Sequence, residues 1–217
     1  LKATADILPV DAAAPDRQII ARTAQRLVDG QIGVYPTRCL YGLGTNALDG
    51  AAVERIFHIK GRPGDKPLLV LVADRAAVQL LVRRIPPLAA RLMEHFWPGR
   101  ITFLFEARRG LPAGLTGPHG KIGIRLAGHP VAAALAAAAG VPLTGTSANL
   151  SGRPGCRQIE QLDPAIIGAV DLVLDAGILA GGLGSSVVDV TVQPPVMLRE
   201  GMVKRLEFEK TLTAAGG

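Results

Sequence analysis

Aromatic side chains are scarce: five Phe, two Tyr and one Trp make up 4% of the 217 residues. A core must therefore be assembled from Ala, Val, Leu and Ile. Cysteine is scarcer still. Cys39 and Cys156 stand far apart and in no CxxC pair, which excludes a zinc framework and a disulfide scaffold. Two reduced thiols are the expectation. His58, His95, His119 and His129 form no HxH or HxxxH pattern, so no protein-bound transition metal is expected. Nowhere do ~18 apolar residues follow one another, which excludes a transmembrane helix. Residues 1–14 hold no basic-then-apolar leader and include Asp6, Pro9 and Asp11. The expected compartment is the cytoplasm, with no membrane partner.

What the chain does contain is apolar surface: 48% hydrophobic residues against 19% charged, a balance that excludes intrinsic disorder. Its 26 Gly and 16 Pro follow no fixed period, which excludes collagen and simple repeat arrays. No linker-like stretch divides it, so one domain over residues 1–217 is expected. A net charge of +6 attracts anions without naming them.

Residues 16–30 (DRQIIARTAQRLVDG) put Ile19, Ile20, Ala24, Leu27 and Val28 on one helical face. Asp16 takes a cap position there and Gly30 a helix end. The spacing then predicts a short strand, IGVYPT at 32–37, broken by Pro36 and followed by a glycine-studded loop, YGLG. Residues 51–59 repeat the helical spacing, and PLLVLV at 67–72 has the continuous apolar run of a strand covered on both faces. Further helices are expected at 88–97 and 131–139, and strands at 101–105, 121–126 and 141–143. DLVLD, SSVVDVTV and VMLRE add three late strands. Interleaving early and a strand-rich end predict an α/β fold, a mixed, partly parallel sheet flanked by helices.

Three sets of residues have compositions that packing alone does not require. Lys60-Gly61-Arg62-Pro63-Gly64-Asp65-Lys66-Pro67 sets three cations among Gly and Pro, between a helix and a buried strand. Such a stiff loop suits phosphate or carboxylate oxygens, with Arg as a planar fork and Lys as a point charge. A solvated basic turn is the plainer alternative. Residues 144–152 (TGTSANLSG) crowd hydroxyls and an amide at the C-terminal end of a strand, the edge where open α/β sheets bind ligands. Their alternative is a Ser/Thr turn bonded to its own backbone. The third set is scattered: Arg125 ending KIGIRL, Ser185-Ser186 opening a strand, and Arg199 ending VMLRE. An arginine facing a cleft is costly unless an anion meets it. Each taken alone also fits an edge residue reaching water.

In chain order the stretches PTRCLYGLG (36–44), KGR (60–62), WPG (97–99), RLAGHP (125–130), SAN (147–149), SSVVD (185–189) and LREG (198–201) resemble the Sua5/YrdC/YciO family. They answer to its PT-[DE]-TxYGLG, KxR, WPG, RxPxHP-like, SxN, S-[ST]-V-V-D and LR-[EP]-G patterns, over a core of about 16–201. The resemblance implies a twisted, open α/β sheet with a large basic groove, in the short, single-domain bacterial form. It implies a nucleotidyltransferase, an L-threonylcarbamoyladenylate synthase. That enzyme joins L-threonine, bicarbonate and ATP, the ATP carrying Mg2+, into threonylcarbamoyl-AMP and pyrophosphate. A partner transferase would then complete the t6A modification of tRNA, so tRNA is an indirect partner. By the same resemblance Lys60 and Arg62 are catalytic, and Arg62, Lys66, Ser147, Asn149 and Arg199 surround ATP. Cys39, Arg125, Gly145 and Ser185 surround threonine. No covalent protein nucleophile is needed, because the work is to hold two anions together and stabilise charge, which suits Lys and Arg. Arg38 and Cys39 depart from the family's acidic residue and second threonine. Leu71 stands where longer relatives place a His against threonine.

Two other readings stay open at this level. A module whose basic groove holds RNA would account for the charge, although stacking rings are few. A carbamoyl-transfer domain of the same family would use carbamoyl phosphate instead.

Overall fold

The computed structural model describes residues 5–216. One ten-stranded sheet runs through them. Its strands in chain order are β1 (Asp6–Pro9), β2 (Gly33–Pro36), β3 (Tyr41–Gly44), β4 (Leu69–Val72) and β5 (Ile101–Glu106). They continue with β6 (Lys121–Leu126), β7 (Leu143–Ser147), β8 (Leu172–Asp175), β9 (Ser186–Asp189) and β10 (Val196–Arg199). The helices are α1 (Arg17–Val28), α2 (Gly50–Lys60), α3 (Pro87–Phe96), α4 (Ala113–Thr116), α5 (Pro130–Ala139), α6 (Pro164–Ile167) and α7 (Arg205–Gly216). Across the sheet the order is β1-β8-β2-β3-β7-β4-β6-β5-β9-β10. The pairs β1–β8, β2–β8, β4–β6 and β5–β9 are parallel and the rest antiparallel, so the sheet is mixed, as the sequence pattern predicts.

Local chemistry sets the helix ends. The Asp16 carboxylate accepts the Gln18 and Ile19 amides at 2.8 and 2.9 Å, and Asp49 caps α2 in the same way. Gly61 (φ 55°) and Gly140 (φ 64°) close α2 and α5 in the left-handed conformation that glycine adopts without penalty. His129 caps α5, its Nδ1 accepting the Val131 amide at 3.2 Å, and Pro130 follows at the first helical position.

Alternation along each strand sorts the core into two faces. Val70, Val72, Phe103, Ile122, Ile124 and Val188 belong to the larger cluster, which includes side chains of α2, α3 and α7. Leu71, Leu143, Leu172 and Leu174 belong to the second, with Leu27 of α1 and Leu135 of α5, two helices packed on each other.

The structure departs from the sequence pattern in four places. The strand expected at 141–143 instead runs from Leu143 to Ser147, so TGTS is not the start of a loop but the body of β7, paired with β3 and β4. The YGLG stretch is not a loop but β3, paired on both sides with β2 and β7. Its glycines answer to crowding: a Cβ on Gly44 would lie 2.2 Å from the Thr144 carbonyl oxygen and 2.6 Å from the Tyr35 hydroxyl. Pro36 does not break its strand but ends it. Finally, β1 and α7 lie outside the 16–201 span of the motifs. β1 pairs with β8, and Phe208 of α7 sets its ring 6.2 Å from that of Phe96.

Candidate active site

On the face shared with α1 and α5, a cleft of about 390 Å3 opens over β7, β4, β6, β5 and β9. Strand alternation delivers its floor. Gly145 and Ser147 come from β7, Gly123 and Arg125 from β6, Thr102 and Leu104 from β5, each pair two residues apart and so on one face. The glycines keep that floor low. A Cβ on Gly145 would meet Leu71 Cγ at 2.8 Å and Leu69 Cδ1 at 3.0 Å, so only glycine fits at this point of the floor. Four arginines, Arg38, Arg62, Arg125 and Arg199, stand around the cleft, and no Asp or Glu is among its described lining.

Arg62 reaches the cleft because α2 ends at Gly61. The Arg62 amide turns back to the Phe57 carbonyl at 2.9 Å, and its guanidinium donates to the carbonyls of Lys66 (2.7 Å) and Pro67 (3.1 Å). Arg199 donates to the Ser185 carbonyl at 2.7 Å. Arg125 has no protein acceptor for its guanidinium among the described residues. Burial pushes its pKa down, the Tyr35 and Cys39 side chains oppose that, and Arg199 adds to it. A desolvated guanidinium in the company of other cations is a strong site for an anion.

Beside Arg125 the walls carry hydroxyls and sulfur. Ser185 and Thr102 are buried and share a 2.8 Å hydrogen bond. Cys39 Sγ lies 3.8 Å from Met202 Sδ, and both line the cleft. Leu71 is buried in the second core cluster, on the same sheet face as Gly145 and beside it.

Of the positions singled out in the sequence, the fold gathers Cys39, Arg62, Arg125, Gly145, Ser147, Ser185 and Arg199 around one cleft. Lys60, Lys66 and Asn149 lie off its lining. Lys66 is exposed, and Arg62 takes only its carbonyl. Asn149 spends its amide nitrogen on the carbonyls of Leu150 (2.8 Å) and Arg153 (2.6 Å). Lys60 is buried, donating to the carbonyls of Ser147 and Asn149. Thr102 and Met202 escaped the sequence reading; the one signal for Thr102 is a hydroxyl inside the otherwise apolar ITFLF. Several motif residues prove architectural. The Ser186 hydroxyl accepts the amides of Gly201 and Val203 and donates to the Val203 carbonyl. The Asp189 carboxylate takes Lys121 at 2.7 Å and both donors of Thr191, contacts that lower its pKa against its burial.

The Sua5/YciO/YrdC family model, described as "Telomere recombination", matches residues 25–201. Threonylcarbamoyl-AMP synthase of Pyrococcus abyssi is 35% identical over 184 residues, covering 85% of this chain and 54% of that protein. The P. abyssi Sua5 crystal structure complexed with L-threonine superposes with a TM-score of 0.89 at 34% identity, covering 94% of this chain and 60% of the other. Escherichia coli YciO gives 0.82 at 28% identity, covering 94% of this chain and 99% of its own. The chain thus spans about half the length of the Pyrococcus relative and nearly all of YciO. A shared fold, a shared order of motifs and a family model covering most of its length place it: the chain belongs to the Sua5/YrdC/YciO family.

Proposed function

We propose that the chain is a threonylcarbamoyl-AMP synthase, forming threonylcarbamoyl-AMP and pyrophosphate from L-threonine, bicarbonate and ATP. The observation that carries this reading is the partly buried Arg125, its guanidinium without a protein acceptor among the described residues, in a glycine-floored cleft with three further arginines and no carboxylate in its described lining. Such a site favours two anions at once, and this reaction brings together a carboxylate and a polyphosphate. Arg125, Ser185 and Cys39 suit the amino acid. Arg62, Arg199 and Ser147 suit the phosphates, with Lys66 at the exposed end of the Arg62 loop. Mg2+ then arrives on ATP, held by phosphate oxygens, since the described cleft offers it no acidic side chain.

The chemistry follows. The neutral threonine amine and bicarbonate condense to a carbamate: the new N–C bond forms, a C–O bond of bicarbonate breaks, and water leaves. A carbamate oxygen attacks the α-phosphorus, and the bond from that phosphorus to the pyrophosphate oxygen breaks. The arginines hold both anions at reacting distance and take up the charge on the departing pyrophosphate. The product is a mixed anhydride, suited to a partner transferase that completes t6A in tRNA, in the cytoplasm. The single sheet through the described residues supports one YrdC-like domain.

The test is pyrophosphate release from purified protein with Mg-ATP. Release that requires threonine and bicarbonate together, and that Arg125→Gln loses mainly through a KM for threonine raised about ten- to a hundredfold, supports the reading. Equal release with carbamoyl phosphate replacing both, or none with any mixture, overturns it.

A further inference from the structure

Lys60 is the buried cation that the reaction above does not use. It is the last residue of α2, its side chain turned under the 147–151 segment instead of into the cleft. Its ammonium donates to the carbonyls of Ser147 and Asn149, with the Asn149 amide oxygen at 3.5 Å, and its own carbonyl accepts the Ser151 amide at 2.8 Å. One residue therefore ties both ends of a five-residue loop. That loop is a partition: Ser147 faces the cleft, whereas Ala148, Asn149 and Leu150 line a separate hollow of about 540 Å3. Two residues on from Lys60, past the left-handed Gly61, Arg62 enters the cleft.

We propose that Lys60 is a positioning residue, a pin that holds Ser147 in register with Arg62 across the cleft without touching substrate. The KxR spacing then has a mechanical meaning: the lysine fastens the helix end to the loop, the glycine reverses the chain, and the arginine meets the phosphates. This rests on the ATP reading only where ATP is the readout. The tie itself belongs to the ligand-free protein. Burial first, then the neighbouring Arg62 charge, lower the lysine pKa to about 8, while the facing Cys156 thiol opposes them. Above that pH the ammonium becomes an amine, whose hydrogen bonds lack charge assistance and are weaker.

The experiment compares wild type, Lys60→Met and Lys60→Arg, first without substrates. Amide exchange at residues 148–151 should quicken by about tenfold or more in Lys60→Met, with exchange in β5 and β6 unchanged. With substrates, KM for ATP should rise about ten- to a hundredfold, kcat and KM for threonine moving little. In wild type, KM for ATP should climb as pH passes about 8. That step should persist in a Cys156→Ala background, be absent from Lys60→Met, and be absent from Lys60→Arg, which stays charged. Unchanged exchange at 148–151, or a collapse of kcat with KM for ATP unmoved, overturns the proposal. Should neither variant fold, a wild-type KM for ATP that is flat from pH 7 to 9.5 overturns it. If wild type fails to turn over ATP at all, the synthase reading falls while the exchange result still decides the pin.

Discussion

Neighbouring residues in this chain divide labour in a way their types do not announce. Ser185 faces the cleft and Ser186 fastens the 201–203 segment, although both are serines of one motif. Cys39 is the sharpest case. It lines the cleft where the family carries a threonine, with its sulfur 3.8 Å from Met202 Sδ. A hydroxyl donates and accepts more strongly than a thiol. Cys39→Thr should therefore lower KM for threonine by a few-fold to about tenfold, the worth of one neutral hydrogen bond, and leave KM for ATP unchanged. Steady-state kinetics with each substrate varied in turn checks this. A change confined to the ATP constant would remove the amino acid from the Cys39 side of the cleft.

Helices and strands here are set by their ends as much as by their faces. α5 is nearly all alanine with a valine and a leucine, so its start depends on the cap, His129 Nδ1 accepting the Val131 amide. Burial lowers the His129 pKa, and only the neutral ring can accept. The sign follows from linkage. Below the unfolded value of ~6.5 the unfolded chain takes up a proton that the folded chain resists. Stability is thus full above that pH and lost as pH falls through the lowered folded-state pKa. His129→Ser keeps a cap but does not titrate. Urea unfolding between pH 7.5 and 5 should show wild type losing about 1 kcal/mol that the variant retains, the usual scale of a cap. Identical slopes would remove the cap from the argument.

The same end-signals explain what was legible in the sequence. α1, α2, α3 and α5 carry Asp, Pro or Gly at their ends, and β4 to β9 carry apolar runs that no loop needs. β3 was hidden because YGLG has loop composition, and only the approach of Thr144 and Tyr35 explains glycine in a paired strand. β1, four residues with an Asp and a Pro, becomes a strand only through β8. At the site, the segments could be named but not their directions. Lys60 turns away from the cleft because of a carbonyl 87 residues along the chain, a contact that no local pattern encodes.

Across the molecule, four arginines are drawn from both ends and the middle of the chain into one cleft whose described lining holds no carboxylate. Folding alone brings these charges together, so the native state carries a repulsion that the unfolded chain lacks. A polyanion that bridges them binds only the folded protein and must stabilise it by mass action. At a hundred times its Kd such a ligand contributes ~2.7 kcal/mol. For a chain of this length, each kcal/mol moves Tm by roughly 2–4 °C. Mg-ATP should therefore raise Tm by about 5–10 °C. Pyrophosphate should give part of that shift and adenosine little, because the contacts in question are with phosphate oxygens. Added salt should shrink the gain by screening the charges. Threonine added to Mg-ATP should raise Tm further, and Arg125→Gln should erase that increment while keeping most of the ATP shift. Thermal melts across this ligand series provide the check. Equal shifts from adenosine and ATP would show that the arginines are not where the nucleotide is held.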